Sequence, residues 1–141
     1  MNIDSIQNGI VIDHITAGKG MRLYYLLHLD ELDCSVAIIK NVVSKKMGKK
    51  DIIKIDADIP VNIDVIGYID PGATVNIIKD GVRSDKLNLQ LPTILTNVIH
   101  CKNPRCITTT EQELDHVFRL TDKENKVYRC VYCETKAERN N

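Results

Sequence analysis

The sequence predicts an α+β protein of two domains, a ferredoxin-like sandwich over residues 1–92 and a small all-β domain built around four cysteines over residues 93–141. Three observations carry this reading. The 141 residues include 19 Ile but only one Phe, five Tyr and no Trp, so a core must be filled largely by β-branched aliphatics, which favours sheet. Short β-rich runs alternate with two helical stretches before Pro92. The cysteines are unevenly spread, with Cys34 alone and Cys101, Cys106, Cys130 and Cys133 all in the last 41 residues.

Gly9–Ile15 is the first β-rich run. It is followed by Thr16-Ala-Gly-Lys-Gly20 and then by Met21–Leu29, where Leu23, Leu26 and Leu27 fall on one helical face. Ser35–Val43 reads as the second strand, Lys45–Lys50 as a basic turn and Asp51–Ile55 as the third strand, the two pairing as a hairpin. Val61–Ile69 is assigned to a short helix on the spacing of Ile63, Ile66 and Ile69, although its β-branched content also suits a strand. Pro71-Gly72 turns the chain into a strand at Ala73–Ile78, and Lys79-Asp-Gly81 turns it into a last strand at Val82–Leu91. Pro92 cannot donate to a following ladder and marks the boundary. The order β-α-β-β-α-β plus one strand is that of a ferredoxin-like sandwich.

The charges balance, 19 basic against 19 acidic, which argues against a long nucleic acid or a membrane surface as partner. No run approaches the roughly 18 apolar residues of a spanning helix, and Met1–Asp13 has no secretory pattern, so the expected compartment is the cytoplasm. Neutrality nevertheless hides a cluster. Lys40, Lys45, Lys46, Lys49, Lys50 and Lys54 surround the single Asp51. On the third strand Lys50, Ile52 and Lys54 share a face by the two-residue period, and two cations flanking an aliphatic group suit a phosphate beside a sugar or base. The same lysines also suit a solvated hairpin that protects a sheet edge. No catalytic motif stands out: Gly18-Lys19-Gly20 is too short for a P-loop or a dinucleotide fingerprint.

Cys101-x4-Cys106, 23 residues, then Cys130-x2-Cys133 makes two short chelating loops in a compartment that keeps thiols reduced. Four thiolates closing a tetrahedron leave no position for water, so the site is structural and the domain is of the zinc-ribbon or rubredoxin-like kind. Iron suits the same donors, but the knuckles lack the glycines usual in redox rubredoxins, and zinc is favoured. A 49-residue domain with few large apolar groups is near the size at which a core alone is marginal, so the ion is expected to fold it. A zinc-ribbon nucleic-acid-binding protein using Lys40–Lys54 as a phosphate stripe is the alternative, with a small iron electron carrier as a third reading.

Taken together, Gly9-Ile-Val-Ile-Asp-His-Ile15, Met47–Ile55, Ala73-Thr-Val-Asn76, Cys101-x-Asn-Pro-x-Cys-Ile107 and Tyr128-x-Cys-x-Tyr-Cys-Glu134 closely resemble the regulatory chain of aspartate carbamoyltransferase over nearly the whole length. The resemblance implies a non-catalytic subunit in pyrimidine biosynthesis. It implies an N-terminal allosteric domain that binds CTP, ATP and UTP, a zinc domain that docks on the catalytic chain, and pairing of regulatory chains through their N-terminal domains. Family nucleotide contacts would fall on Ile6, Asp13, His14, Lys54, Asn76, Ile78 and Lys86, with Lys50 and Ile52 beside the pocket. The implied ligands of one structural zinc ion are Cys101, Cys106, Cys130 and Cys133.

Overall fold

The computed structural model describes residues 6–138. The chain divides into two compact units between Gln90 and Leu91.

In the first unit, β1 (Gly9–Thr16), α1 (Gly20–Leu26), β2 (Val36–Ser44), β3 (Gly48–Ile55), α2 (Ile63–Ile69), β4 (Thr74–Lys79) and β5 (Val82–Asn88) follow one another. The strands form one sheet in the order β2-β3-β1-β4-β5, and every neighbouring pair is antiparallel. Each half is therefore a split β-α-β unit whose two parallel strands are separated by a strand of the other half. The fifth strand extends the sheet at β4.

Alternation gives the sheet one buried face, with Ile10, Ile12, Ile15, Ile53, Ile55 and Val75 all buried alongside Leu23 of α1 and Val65, Ile66 and Ile69 of α2. Each fully buried aliphatic side chain contributes about 1.5–3 kcal/mol, so this face supplies most of the unit's apolar stabilisation. Ile15 shares a face with Ile12 despite the odd spacing because β1 carries one extra residue. Ile12 pairs with Ile53, but Ile15 pairs with Asp51, and His14 takes a left-handed φ of +57° within this bulge. An equivalent bulge in β2 lies between Ile39 and Val42, where Asn41 has φ +61°.

Both helices are shorter than the sequence pattern suggests. The first ends at Leu26 rather than Leu29, because His28 is left-handed and a 3-10 turn at Leu29–Glu31 replaces the last turn; Leu29 is nonetheless buried. In the second, Asn62 caps the start by accepting the Asp64 and Val65 amides. That places Ile63 in the first turn, 45% exposed, so the buried stripe is Val65, Ile66 and Ile69 and not the expected Ile63, Ile66 and Ile69. The last strand stops at Asn88, before the expected Leu91, and β3 begins at Gly48, so the basic turn is shorter than Lys45–Lys50.

Asp51 is fully buried on the helix side of β3. Its Oδ2 accepts the amides of Gly18 (3.1 Å) and Gly20 (3.0 Å), and its Oδ1 accepts that of Asn41 (3.0 Å). A Cβ on Gly20 would stand 2.8 Å from Asp51 Oδ2, so the close approach requires glycine. Asp70, at the end of α2, acts similarly, accepting the Thr16 amide on Oδ2 at 2.6 Å.

In the second unit, β6 (Ile94–Thr96), β7 (Val117–Asp122) and β8 (Val127–Cys130) form an antiparallel sheet in that order, with one helical turn, α3 (Ile107–Thr110), after the first knuckle. Its core is small: Leu95, Phe118 and Tyr128 are buried with Cys101, Cys106 and Cys130. The Tyr128 hydroxyl donates to the Pro92 carbonyl at 2.6 Å.

Asp51→Asn keeps the shape of the side chain but turns one acceptor oxygen into a donor facing an N–H. We expect a loss of about 2 kcal/mol, read as a lower urea midpoint of the first unit by circular dichroism. An unchanged midpoint would contradict the bridging role.

Candidate functional site

The face of the sheet opposite the helices carries the polar groups. Lys50, Ile52 and Lys54 alternate with the buried Asp51, Ile53 and Ile55, so they project there. The register extends this across strands: Lys54 of β3 pairs with Val11 of β1, Val11 with Asn76 of β4, and Asn76 with Lys86 of β5. Lys54, Asn76 and Lys86 thus occupy one row, its ends about 14 Å apart at the usual strand spacing. The Asn76 side-chain amide donates to the Val11 carbonyl at 3.4 Å. Ile78 pairs with Gly9. A Cβ on Gly9 would collide with the Ile55 carbonyl oxygen and lie 2.9 Å from Ile6 Cγ2, so Ile6 packs directly over the glycine that Ile78 opposes.

Beside this row the β1 bulge aims a second group. Lys50 Nζ lies 2.9 Å from Asp13 Oδ1, with 17% and 24% of the two side chains exposed, and the same oxygen accepts the His14 amide at 2.6 Å. Burial alone would raise the Asp13 pKa, but the Lys50 hydrogen bond, the His14 amide and the nearby positive charge outweigh it and hold the carboxyl below its usual 3.8. His14 Nδ1 lies 3.0 Å from Thr74 Oγ1, linking β1 to β4. The structure therefore brings all nine expected nucleotide contacts to the open face or its margin. It also divides the lysine cluster. Lys50 and Lys54 are half-buried on this face, whereas Lys40, Lys45, Lys46 and Lys49 are exposed at the edge strand and hairpin.

The second site is the cysteine cluster. Cys101, Cys106, Cys130 and Cys133 bring their sulfurs within 4.8 Å of one another. Cys101 and Cys133 are 3.6 Å apart and Cys106 and Cys130 3.7 Å, too far for disulfides. An ion held by sulfur at about 2.3 Å sets tetrahedral S···S edges of about 3.8 Å, so the donor set fits one divalent ion. Burial pushes the Cys101 thiol up to about 12 and raises Cys130 as well. At Cys133 burial acts in the same direction, but the Thr135 hydroxyl and amide and the Asn103 side chain outweigh it and bring the thiol down to about 6. Four thiolates so placed need a cation to coexist. The Cys101 amide donates to His116 Nδ1 at 3.0 Å, and burial and the neighbouring His100 hold that imidazole below its ordinary value, favouring the neutral acceptor.

Sequence reasoning missed Asp51 as an anchor, Thr74 as the partner of His14, and the hydroxyls of Thr108 and Thr135 beside two of the sulfurs. Only the last pair left a readable signal, a threonine two residues after the second cysteine of each knuckle.

Replacing Lys50 by Met removes the largest influence that opposes burial at Asp13. The carboxyl titration followed by NMR should move upward. In the parent the pair's contribution is complete above pH 3.8, the unfolded value, and disappears as pH falls through the lower folded value. An unmoved midpoint would mean that Lys50 does not hold the carboxylate.

Comparison with known proteins matches residues 1–90 to the family described as aspartate carbamoyltransferase regulatory chain, allosteric domain. Residues 93–141 match the metal binding domain of the same regulatory chain. The chain is 51% identical over 135 residues to the aspartate carbamoyltransferase regulatory chain of Clostridium tetani, covering 95% of this chain and 94% of that one. It is 48% identical over 134 residues to that of Clostridium botulinum strain Hall, covering 95% and 92%. With the Bifidobacterium longum regulatory chain it shares 41% over 138 residues, covering 98% and 99%. With an allosteric domain and a metal-binding domain, and a non-catalytic role, the chain belongs to the family of aspartate carbamoyltransferase regulatory chains.

Proposed function

We propose that this regulatory chain binds CTP, ATP and UTP on the open face of its first unit and passes their effect through a zinc-holding second unit to the catalytic chain of aspartate carbamoyltransferase. The observation that supports it best is the cross-strand row of Lys54, Asn76 and Lys86. Two cations on one polar row, flanked by aliphatic side chains, suit a nucleotide whose ribose and phosphates face Lys54 and Lys86 while its base packs on the aliphatic groups. Ile6 and Ile78 would pack on the base. Asp13 and His14 would face the ribose and phosphates, and Lys50 and Ile52 would lie beside them.

In the second unit, Cys101, Cys106, Cys130 and Cys133 would hold zinc, which supplies cross-linking and charge neutralisation and no chemistry of its own. The coupling is between sites on different chains. Such coupling typically amounts to about 1–3 kcal/mol and operates only if the nucleotide binds the low- and high-affinity states unequally. Regulatory chains would pair through their first units, in the cytoplasm. The separation of Lys50 and Lys54 from the four exposed lysines breaks up the continuous stripe that a long nucleic acid would require.

Lys54→Ala and Lys86→Ala should each weaken triphosphate binding about tenfold or more by calorimetry, from the loss of a charge-assisted bond, while assembly with the catalytic chain survives. Unchanged affinity in both variants would remove the proposed pocket. Cys106→Ala should do the reverse, losing metal and assembly; a stable complex of that variant with the catalytic chain would exclude the second unit as the docking element. Chelation should unfold residues 93–141 and leave the first unit folded, seen as partial loss of circular dichroism, and joint melting of both units would contradict this. The reading as a whole is tested by purifying the chain with its catalytic partner and measuring carbamoyl transfer with each nucleotide. Transfer by this chain alone would overturn it.

A further inference from the structure

Both knuckles end on the same three-residue pattern. Cys106-Ile-Thr108 closes the first and Cys133-Glu-Thr135 the second. In each, the threonine hydroxyl returns to the sulfur two residues before it: Thr108 Oγ1 lies 3.0 Å from Cys106 Sγ, and Thr135 Oγ1 lies 3.1 Å from Cys133 Sγ. The two arrive by different routes. Cys106 is the N-cap of α3, whose first turn carries Thr108 back over it. Thr135 lies beyond the second knuckle and is oriented from the first, because Asn103 Nδ2 donates to its Oγ1 at 3.1 Å.

Neither contact is casual. Thr108 is 3% exposed, so its hydroxyl needs a partner, and the sulfur is at hydrogen-bond distance. At Thr135 the oxygen already accepts from Asn103, which leaves its own proton to be given elsewhere. As a protonated thiol Cys133 donates to Thr135 Oγ1, and between Cys106 and Thr108 either partner can donate; a thiolate bound to a divalent ion has no proton to give, so with an ion held both bonds would run from hydroxyl to sulfur. The hydroxyls also fall one to each close sulfur pair, Cys101–Cys133 and Cys106–Cys130. A divalent ion with four thiolates carries a net charge of about −2, held in a unit whose sulfurs are mostly buried. Two hydroxyl dipoles aimed at that charge stabilise it where water cannot.

We propose that Thr108 and Thr135 are a matched pair of hydroxyl donors to the metal-binding thiolates, and that they set how firmly this chain retains its ion. The inference rests on the metal-binding reading above and adds to it two residues outside the ligand set. Groups that hydrogen-bond to metal ligands commonly change metal affinity by about 10–100-fold when removed. Backbone amides also reach the sulfurs, that of Asn103 at Cys101, those of Tyr132 and Cys133 at Cys130, and that of Thr135 at Cys133, so the two threonine hydroxyls add side-chain donors to a set of backbone ones. Asn103 acts on Cys133 in two ways, orienting Thr135 through its Nδ2 and hydrogen-bonding the sulfur with its own side chain.

The test compares the full zinc-loaded chain with Thr108→Val, Thr135→Val and the corresponding Thr→Ser variants. Zinc transfer to an excess of a chromogenic chelator and the thiolate-to-metal charge-transfer band of the cobalt-substituted protein are recorded for each. Each valine should speed transfer or lower affinity about tenfold or more and move the cobalt band to lower energy, because a thiolate without its donor gives up electrons more easily. Serine should restore both readouts. Parent-like transfer and spectra in the valine variants would overturn the proposal, as would serine variants that behave like valine, since methyl packing would then be the cause. If Thr108→Val does not fold, the half-buried Thr135 decides by the same criteria. A parent chain that takes up neither zinc nor cobalt would overturn the metal-binding reading itself.

Discussion

A carboxylate with no solvent contact sits at the centre of the first unit, and its neighbours are arranged around the need to satisfy it. Placing Asp51 under the helices costs several kcal/mol in lost hydration, and three backbone amides offset that cost: Gly18, Gly20 and Asn41. These donors come from the loop entering α1 and from the bulge of β2, so one side chain fixes both segments against β3. Gly18 has φ +98° and Gly20 admits no Cβ, so the loop's glycines answer to the carboxylate rather than to a bound phosphate. The functional consequence follows from parity. With Asp51 pinned on the helix side, Lys50 and Ile52 must face the other way, and the open face acquires its charge pattern from a residue that never reaches it.

The bulge at Asp13–His14 does comparable work in β1. Without an extra residue, either Ile15 would leave the core or Asp13 would leave the open face. The bulge lets the strand keep both, and it turns Asp13 onto Lys50 and His14 onto Thr74. A polar site built this way on central strands is held by the sheet on both sides, which limits the ordering that a ligand must impose.

The second unit solves a different problem. Three large apolar side chains make a small core for so short a segment, and the four clustered sulfurs offer a metal cross-link beside it. Its electrostatics are unusual for a buried cluster, with Cys101 resisting ionisation and Cys133 favouring it. That inequality comes from the burial of Cys101 and from the hydrogen bonds that Thr135 and Asn103 make to Cys133, and not from the ligands' identity, since all four are cysteine.

The strands, their alternation and the four-cysteine spacing were determined by the sequence itself, because period-two patterning and paired chelating loops are local properties of the chain. Gly9–Ile15, Asp51–Ile55 and Cys101 to Cys133 could be read without knowing what lay beside them. Tertiary structure alone decided the rest. Asp51 looks like a solvated acid among lysines until Gly18, Gly20 and Asn41 are brought to it. Ile63 looks like core until the Asn62 cap places it in the exposed first turn. The row of Lys54, Asn76 and Lys86 exists only in the cross-strand register, and the Asn103 contact with Thr135 only once the two knuckles meet. In each case the deciding energy is a hydrogen bond or burial between residues distant in sequence, and a linear pattern does not encode which of many equally apolar or equally charged positions will be paired.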